Sequence, residues 1–65
     1  MLSQTGRQIK RRRRELQLTQ AELATRACLS KGYVWRIERG LQDPTVGGLK
    51  RIAKALGVPP GALLS

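Results

Sequence analysis

Most of the ionisable side chains in this sequence are cationic. Thirteen Lys and Arg residues stand against four Asp and Glu in 65 residues, with no His and one cysteine, Cys28, and the net charge is +9. So strong a positive charge favours a polyanionic partner, with nucleic acid first and an anionic membrane surface second. An enzyme is the least favoured class, because Cys28 has no base near it in the sequence and the carboxylates fit caps, ion pairs or turns. One cysteine without histidine also excludes an internal disulfide and a Cys/His zinc site, so no metal or cofactor is expected.

The densest group of cations, Lys10 to Arg14, must be carried by the first helix. Ile9 and Leu16 lie two helical turns apart, which predicts a helix from Arg7 to Gln17 with these two side chains inward and the residues before Gly6 frayed. A helix distributes five consecutive cations around its circumference. Taken alone, the run is therefore equally compatible with a solvated charged surface.

A second helix begins after Thr19. Thr19 and Glu22 form the sequence signature of a capping box, which fixes the start of the helix. The helix is predicted to end at Ala27, with Cys28 and Leu29 as a tight turn. Its apolar face consists of Leu23, Ala24 and Ala27.

A third helix follows directly after this turn. Ser30 is its predicted N-cap, and Lys31 to Arg39 is its predicted range. Val34 and Ile37 face inward at a three-residue spacing, and Gly40 supplies the C-terminal stop. The segment from Thr19 to Gly40 therefore reads as two short helices joined by a turn.

The clearest amphipathic pattern belongs to a fourth helix, between the cap Thr45 and the stop Gly57. After it, only a last short helix between Gly61 and Ser65 is expected. The sequence has no internal repeat, no strand-like alternation and no linker, so one all-α domain over residues 1–65 is predicted, with its core motif at 19–40. Its apolar runs are too short to span a membrane and no signal peptide is recognisable, so a cytoplasmic location is expected. The inward stripe of the fourth helix is Val46, Leu49, Ile52, Ala53 and Leu56.

The two short helices match the helix-turn-helix pattern, which requires a small residue at the helix contact, a turn residue and two inward aliphatic residues. Ala24, Cys28, Val34 and Ile37 occupy these positions. Together with LTQAELA, LSKGYVWRIERG, DPT and LKRIAKALGV in that order, the chain resembles the Cro and phage-repressor type of helix-turn-helix family, also called the XRE family. The resemblance implies a compact five-helix, lambda-repressor-like fold. In that fold helix three lies in the DNA major groove and helix two crosses the phosphate backbone.

The resemblance also implies which residues read bases. Lys31, Gly32 and Tyr33 stand at the start of the recognition helix, and Arg36 follows on the same face. Lys31 and Arg36 are expected to donate to guanine O6 and N7, and Tyr33 to meet a thymine methyl group or a phosphate. Gly32 has no side chain to read with and is expected to let the helix backbone approach the groove.

A second set of residues is implied to contact phosphates. Gln20 matches the family's phosphate-binding glutamine, and its backbone amide at a helix N-terminus would add to the contact. Thr19 is mainly a cap whose hydroxyl could also reach a phosphate. Arg13 and Glu38 match a pair in which the arginine of helix one meets the glutamate of helix three and also reaches a phosphate. The loop from Gln42 to Gly47 is expected to present further backbone amides.

The chain departs from the family pattern at several residues. Cys28 stands where glycine is usual because the backbone needs a positive φ, so a strained or differently shaped turn is predicted, with a redox role as the less favoured alternative. Gly47 and Gly48 indicate either close backbone approach to phosphate or a frayed first turn. Trp35 should lie on the outer flank of helix three, packed on Arg39 or helix two, stacked near the DNA backbone, or held against a protein.

The leading prediction is sequence-specific binding of double-stranded DNA by a transcriptional regulator, a repressor or its DNA-binding domain. Because the family often dimerises through its last helix, a homodimer on a near-palindromic operator is expected, with Val58, Leu63 and Leu64 as interface candidates. The first rival is an antitoxin or coactivator type of module that uses the same fold to bind a protein partner. The second is a membrane-active cationic peptide, which would be disordered in buffer.

Overall fold

The computed structural model describes residues 2–64, with the side chains of residues 4–64, and this part of the chain is entirely helical apart from its turns. The predicted all-α fold is confirmed, except that the fifth element is one turn of 3-10 helix, too short to be an α-helix. No helix among the described residues is long and apolar enough to cross a membrane. The elements are α1 (Leu2–Glu15), α2 (Gln20–Ala27), α3 (Lys31–Glu38), α4 (Val46–Leu56) and the 3-10 helix (Pro60–Leu63).

The first helix differs most from its prediction. It begins at Leu2 rather than Arg7 and ends at Glu15, because Gln17 takes a left-handed conformation with φ of 58°. Leu16 therefore leaves the helix with half of its surface exposed, and the prediction that it faces inward is wrong. Leu18 enters the core instead.

Close approach of α1 to α3 holds the first turns of α1 in place. Gly6 is buried, and a Cβ atom on it would collide with the backbone carbonyl oxygen of Ile37. Only glycine permits the two backbones to come so near. The first few residues are expected from the sequence to be frayed, whereas the described chain is helical from Leu2 onward.

All four α-helices end in the same way. A residue in the left-handed conformation follows each helix, its N–H donates back into the last turn, and the next N–H donates to the carbonyl five residues earlier. This arrangement is the Schellman motif, which satisfies carbonyl groups that a helix end would otherwise leave unpaired. The left-handed residues are Gln17, Cys28, Gly40 and Gly57.

The predicted N-caps are confirmed. The side chains of Thr19, Ser30 and Thr45 each accept a backbone N–H in the first turn of the following helix. At α2 both halves of the capping box are present, and the Thr19 N–H donates to Glu22 at 2.8 Å. This hydrogen bond lowers the pKa of Glu22 below its usual value.

The core lies between α2, α3 and α4, with α1 packed on α3 and the 3-10 helix closing the base against α4 and α1. Small alanines on α2 allow the tight crossing that the motif requires. Val46 is exposed rather than inward, because it is the first residue of α4 and precedes the part of the stripe that meets the core. The buried apolar residues are Ile9, Leu18, Leu23, Ala24, Ala27, Val34, Ile37, Ile52, Ala53, Leu56 and Leu63.

Candidate nucleic-acid interface

The helix α3 divides sharply into a buried side and an exposed side. Val34, Ile37 and Glu38 are buried. Lys31 and Arg36 are exposed, and neither forms an ion pair within residues 4–64. The structure thus leaves the two cationic side chains expected to read bases available on the outer surface of this helix.

Arg36 is tied to the loop that follows its helix. Its Nε donates to Oε1 of Gln42 at 2.9 Å. A Cβ atom placed on Gly32 would stand 3.4 Å from Nη1 of Arg36, so the guanidinium lies back over the first turn of α3. The Arg36 guanidinium therefore lies beside the exposed backbone of Gly32, at a distance that would also accommodate a Cβ atom.

Tyr33 has a structural role that the sequence did not reveal. Its ring is half-buried, and its hydroxyl oxygen accepts the backbone N–H of Thr45 at 2.9 Å, which joins α3 to the start of α4. The hydroxyl proton remains as a donor. Tyr33 was expected among the base readers, and its position makes it first a support for the loop.

Gly48 is explained by this tyrosine. A Cβ atom on Gly48 would lie 2.6 Å from the Tyr33 hydroxyl oxygen, so glycine keeps the space in which the ring packs. The first turn of α4 is not frayed, since the Thr45 side chain accepts the Gly48 N–H at 2.9 Å. Gly47, expected to contact phosphate, has no atom within 4 Å of where its Cβ would be, apart from its neighbours in the chain and its own helix backbone. It therefore presents an open stretch of backbone.

Arg13 and Glu38 form a buried ion pair between α1 and α3. Arg13 Nε donates to Glu38 Oε2 at 2.7 Å, and Nη2 donates to Oε1 at 2.9 Å. Arg13 Nη1 also donates to the Leu18 carbonyl at 2.7 Å. The hydrogen bonds to Glu38 raise the pKa of the Arg13 guanidinium above its usual value.

The burial of this pair limits what Arg13 can do at a surface. Each partner is 9% exposed, and three of the five N–H groups of the guanidinium are engaged internally. Holding α1 against α3 is thus the role that its contacts support most directly. A phosphate contact by Arg13 would have to use the remaining N–H groups.

Gln20 joins the same network from the start of α2. Its side-chain amide donates to Glu38 Oε1 at 3.1 Å, so the glutamine is fixed with respect to α3. The N-terminal N–H groups of α2 lie beside it, and Thr19, exposed, uses its hydroxyl to accept the Glu22 N–H. The residues expected to meet phosphates are thereby held relative to the reading helix.

Cys28 and Trp35, both departures from the family pattern, are accounted for locally. Cys28 has φ of 57° and ψ of 43°, so the turn keeps the left-handed geometry without glycine. Trp35 is 42% exposed, and the Arg39 guanidinium lies 5.3 Å from the centre of its ring. This is a cation–π distance, and it matches the expectation that Trp35 packs on Arg39.

The three candidates for a dimer interface separate in the structure. Leu63 is fully buried in the core, so its assignment to an interface between subunits is wrong. Leu64 is exposed, and Val58 is half-buried against the core. Leu63 is buried because the 3-10 helix folds it under α1 and α4.

Comparison with known proteins agrees with this geometry. Residues 9–63 match the sequence pattern of the helix-turn-helix family. The immunity repressor of Bacillus phage phi105 is 41% identical over 59 residues, which are 91% of this chain and 41% of the repressor. The uncharacterized helix-turn-helix-type transcriptional regulator y4dJ of Sinorhizobium fredii is 45% identical over 53 residues, 82% of this chain and 69% of that protein.

A solved structure shows the same arrangement of helices. The N-terminal DNA-binding domain of SinR from Bacillus subtilis superposes with a TM-score of 0.92 at 34% identity, and the match covers 97% of this chain and 93% of that domain. The chain spans less than half of the length of the phi105 repressor that it matches. It belongs to the helix-turn-helix family, and its fold is that of the family's DNA-binding domains.

Proposed function

We propose that the chain binds double-stranded DNA in a sequence-specific manner, as the reading domain of a transcriptional repressor. The observation that carries this proposal is the outer face of α3, where Lys31 and Arg36 are exposed and form no ion pair within the described residues. An α-helix of this kind fits the major groove, and both side chains can donate to guanine. The names of the relatives, an immunity repressor and a transcriptional regulator, support the same function.

The contacts also support separate roles for α2 and α3. Gln20 and the N-terminal amides of α2 would bind a phosphate and fix the register, and Glu38 would keep that glutamine in place relative to α3. Lys31 and Arg36 would then discriminate between bases. As a homodimer, the protein would recognise a near-palindromic site with half-sites roughly 34 Å apart. Such a protein would act in the compartment that holds the DNA, in keeping with the cytoplasmic location expected from the sequence.

Selection of bound sequences from random DNA tests the proposal. Wild-type protein should enrich one motif, and Lys31→Ala or Arg36→Ala should each relax preference at a particular base pair by about 1–3 kcal/mol. Gln20→Ala should weaken binding to all sequences about equally. Lys54→Ala is the matched control, because it removes one charge from an exposed position of α4. Absence of any enriched motif, or a changed motif with Lys54→Ala, would contradict the proposal.

A protein partner is the second candidate ligand. The ring of Trp35 favours it, since this side chain is 42% exposed and tryptophan is enriched among the residues that contribute most binding energy at protein interfaces. Co-purification of a stoichiometric protein that protects Trp35 from solvent quenching would support this role. Unchanged tryptophan fluorescence in such a complex would argue against Trp35 as the contact.

A further inference from the structure

The guanidinium of Arg36 is held by a side chain from outside the recognition helix. Arg36 is exposed, and its Nε donates to Oε1 of Gln42 at 2.9 Å. Gln42 is half-buried, which makes the amide the more restricted of the two partners. The hydrogen bond therefore limits the rotamers of an arginine that would otherwise be free in solvent.

Gln42 is itself fixed by the backbone on both sides of it. The N–H of Leu41 donates to the Arg36 carbonyl at 2.9 Å. The N–H of Thr45 donates to the Tyr33 hydroxyl at 2.9 Å. Both bonds attach the loop to α3, so Gln42 moves with the helix whose arginine it holds.

The hydrogen bond leaves one edge of the guanidinium available. Nε is engaged by Gln42, and Arg36 makes no other side-chain hydrogen bond within residues 4–64. The two Nη groups form the end of the fork that donates to O6 and N7 of one guanine in a bidentate contact. The end of the fork formed by the two Nη groups is thus free, whereas the side edge that includes Nε is occupied by Gln42.

We propose that Gln42 is a positioning residue that sets base specificity by holding Arg36 with its two Nη groups directed at one guanine. This inference rests on the proposed DNA-binding function. Gln42 itself contacts no base in this arrangement. Without it, Arg36 keeps its charge and its attraction for phosphates but rotates among several orientations, of which only some fit guanine.

The experiment compares two DNA duplexes. One carries the site selected by the wild-type protein, and the other has adenine in place of the guanine whose enrichment depends on Arg36. The wild type should prefer guanine by about tenfold or more. Gln42→Ala should reduce this ratio about threefold, because freeing one torsion into three staggered wells dilutes the reading orientation by that factor. Its affinity for unrelated DNA and its melting temperature should match the wild type.

Two further variants isolate the hydrogen bond. Gln42→Glu keeps an oxygen acceptor for Nε, so it should retain the guanine preference even though the added negative charge weakens binding to all DNA. Leu41→Ala changes the neighbouring side chain and leaves the backbone N–H that bonds to Arg36. It should bind both duplexes as the wild type does.

The outcomes separate the two proposals. A wild-type protein without base preference would overturn the proposed function and this inference together. A wild type that reads guanine through Arg36 while Gln42→Ala keeps the full ratio would overturn the inference alone. Equal weakening of both duplexes by Gln42→Ala would likewise overturn it, because the residue would then only support the fold.

Discussion

Replacement of Glu38 by alanine should destabilise the domain far more than loss of a surface ion pair would. The carboxylate accepts two N–H groups of Arg13, at 2.7 and 2.9 Å, and the amide of Gln20 at 3.1 Å. Without Glu38, the buried guanidinium keeps only the Leu18 carbonyl as a partner. An uncompensated buried charge costs about 3–5 kcal/mol, against about 0–1 kcal/mol for an exposed pair. We expect the lower end, about 3 kcal/mol, because that carbonyl remains.

A loss of this size is large for so small a domain. At roughly 0.05–0.15 kcal/mol per residue, the whole free energy of unfolding is roughly 3–10 kcal/mol. The melting temperature of Glu38→Ala should fall by roughly 12–24 °C, at 4–8 °C per kcal/mol for a domain near this length. Thermal and urea unfolding followed by far-ultraviolet circular dichroism measures both quantities. The loss should change little with salt, because a buried pair is weakly screened.

A double variant gives the decisive comparison. Arg13→Met with Glu38→Leu removes both charges and fills the space with apolar atoms, a replacement that is often neutral or stabilising. This variant should therefore be more stable than Glu38→Ala alone. A loss below about 1 kcal/mol for Glu38→Ala, or a double variant that is less stable than the single one, would refute the view that an unpaired Arg13 is the source of the cost.

Two other substitutions test the backbone geometry. Gly6→Ala places a Cβ atom against the α3 backbone and should lower the free energy of unfolding by about 2 kcal/mol. Gly61→Ala, with open space around its Cβ, should change it by no more than about 0.5 kcal/mol. Equal effects of the two substitutions in urea unfolding would show that the close approach of α1 to α3 is not restrictive. Cys28→Gly should increase the free energy of unfolding by about 0.5–1 kcal/mol, because the left-handed conformation costs an L-residue more than it costs glycine. In urea unfolding this gain appears as a higher midpoint at an unchanged slope. A lowered midpoint would contradict this expectation.

The sequence predicted helix boundaries well where a side chain caps the backbone locally. Thr19 with Glu22 marked the start of α2, and Thr45 with Gly57 marked both ends of α4, because each signal acts within a few residues. α1 lacked such signals. Its start is held by the contact of Gly6 with another helix, and its end depends on Gln17 taking a conformation that glutamine seldom adopts.

The candidate site was predictable in its outline but not in its supports. The exposure of Lys31 and Arg36 could be predicted because the apolar residues that face inward on α3 recur at a helical spacing. The bonds from Arg36 to Gln42 and from Thr45 to Tyr33 join residues six and twelve positions apart through an irregular loop. No periodicity encodes such contacts. The need for glycine at position 48 could not be predicted either, because it depends on where the Tyr33 ring packs.

The close contact of Gly6 with the α3 backbone bears on how the protein would accommodate imperfect DNA sites. Because α3 is pressed against the backbone of α1 and joined to it by the Arg13–Glu38 pair, it has little freedom to tilt or slide relative to the rest of the domain. A mismatch in groove width or helical twist would then be met by reorientation of the whole domain or by deformation of the duplex, not by movement of α3 within the domain. Sites that differ only at untouched base pairs would differ in affinity according to their stiffness, at a cost of order 1–6 kcal/mol for strong bending. Comparing the affinities of sites that share all contacted base pairs would then measure the deformability of the DNA.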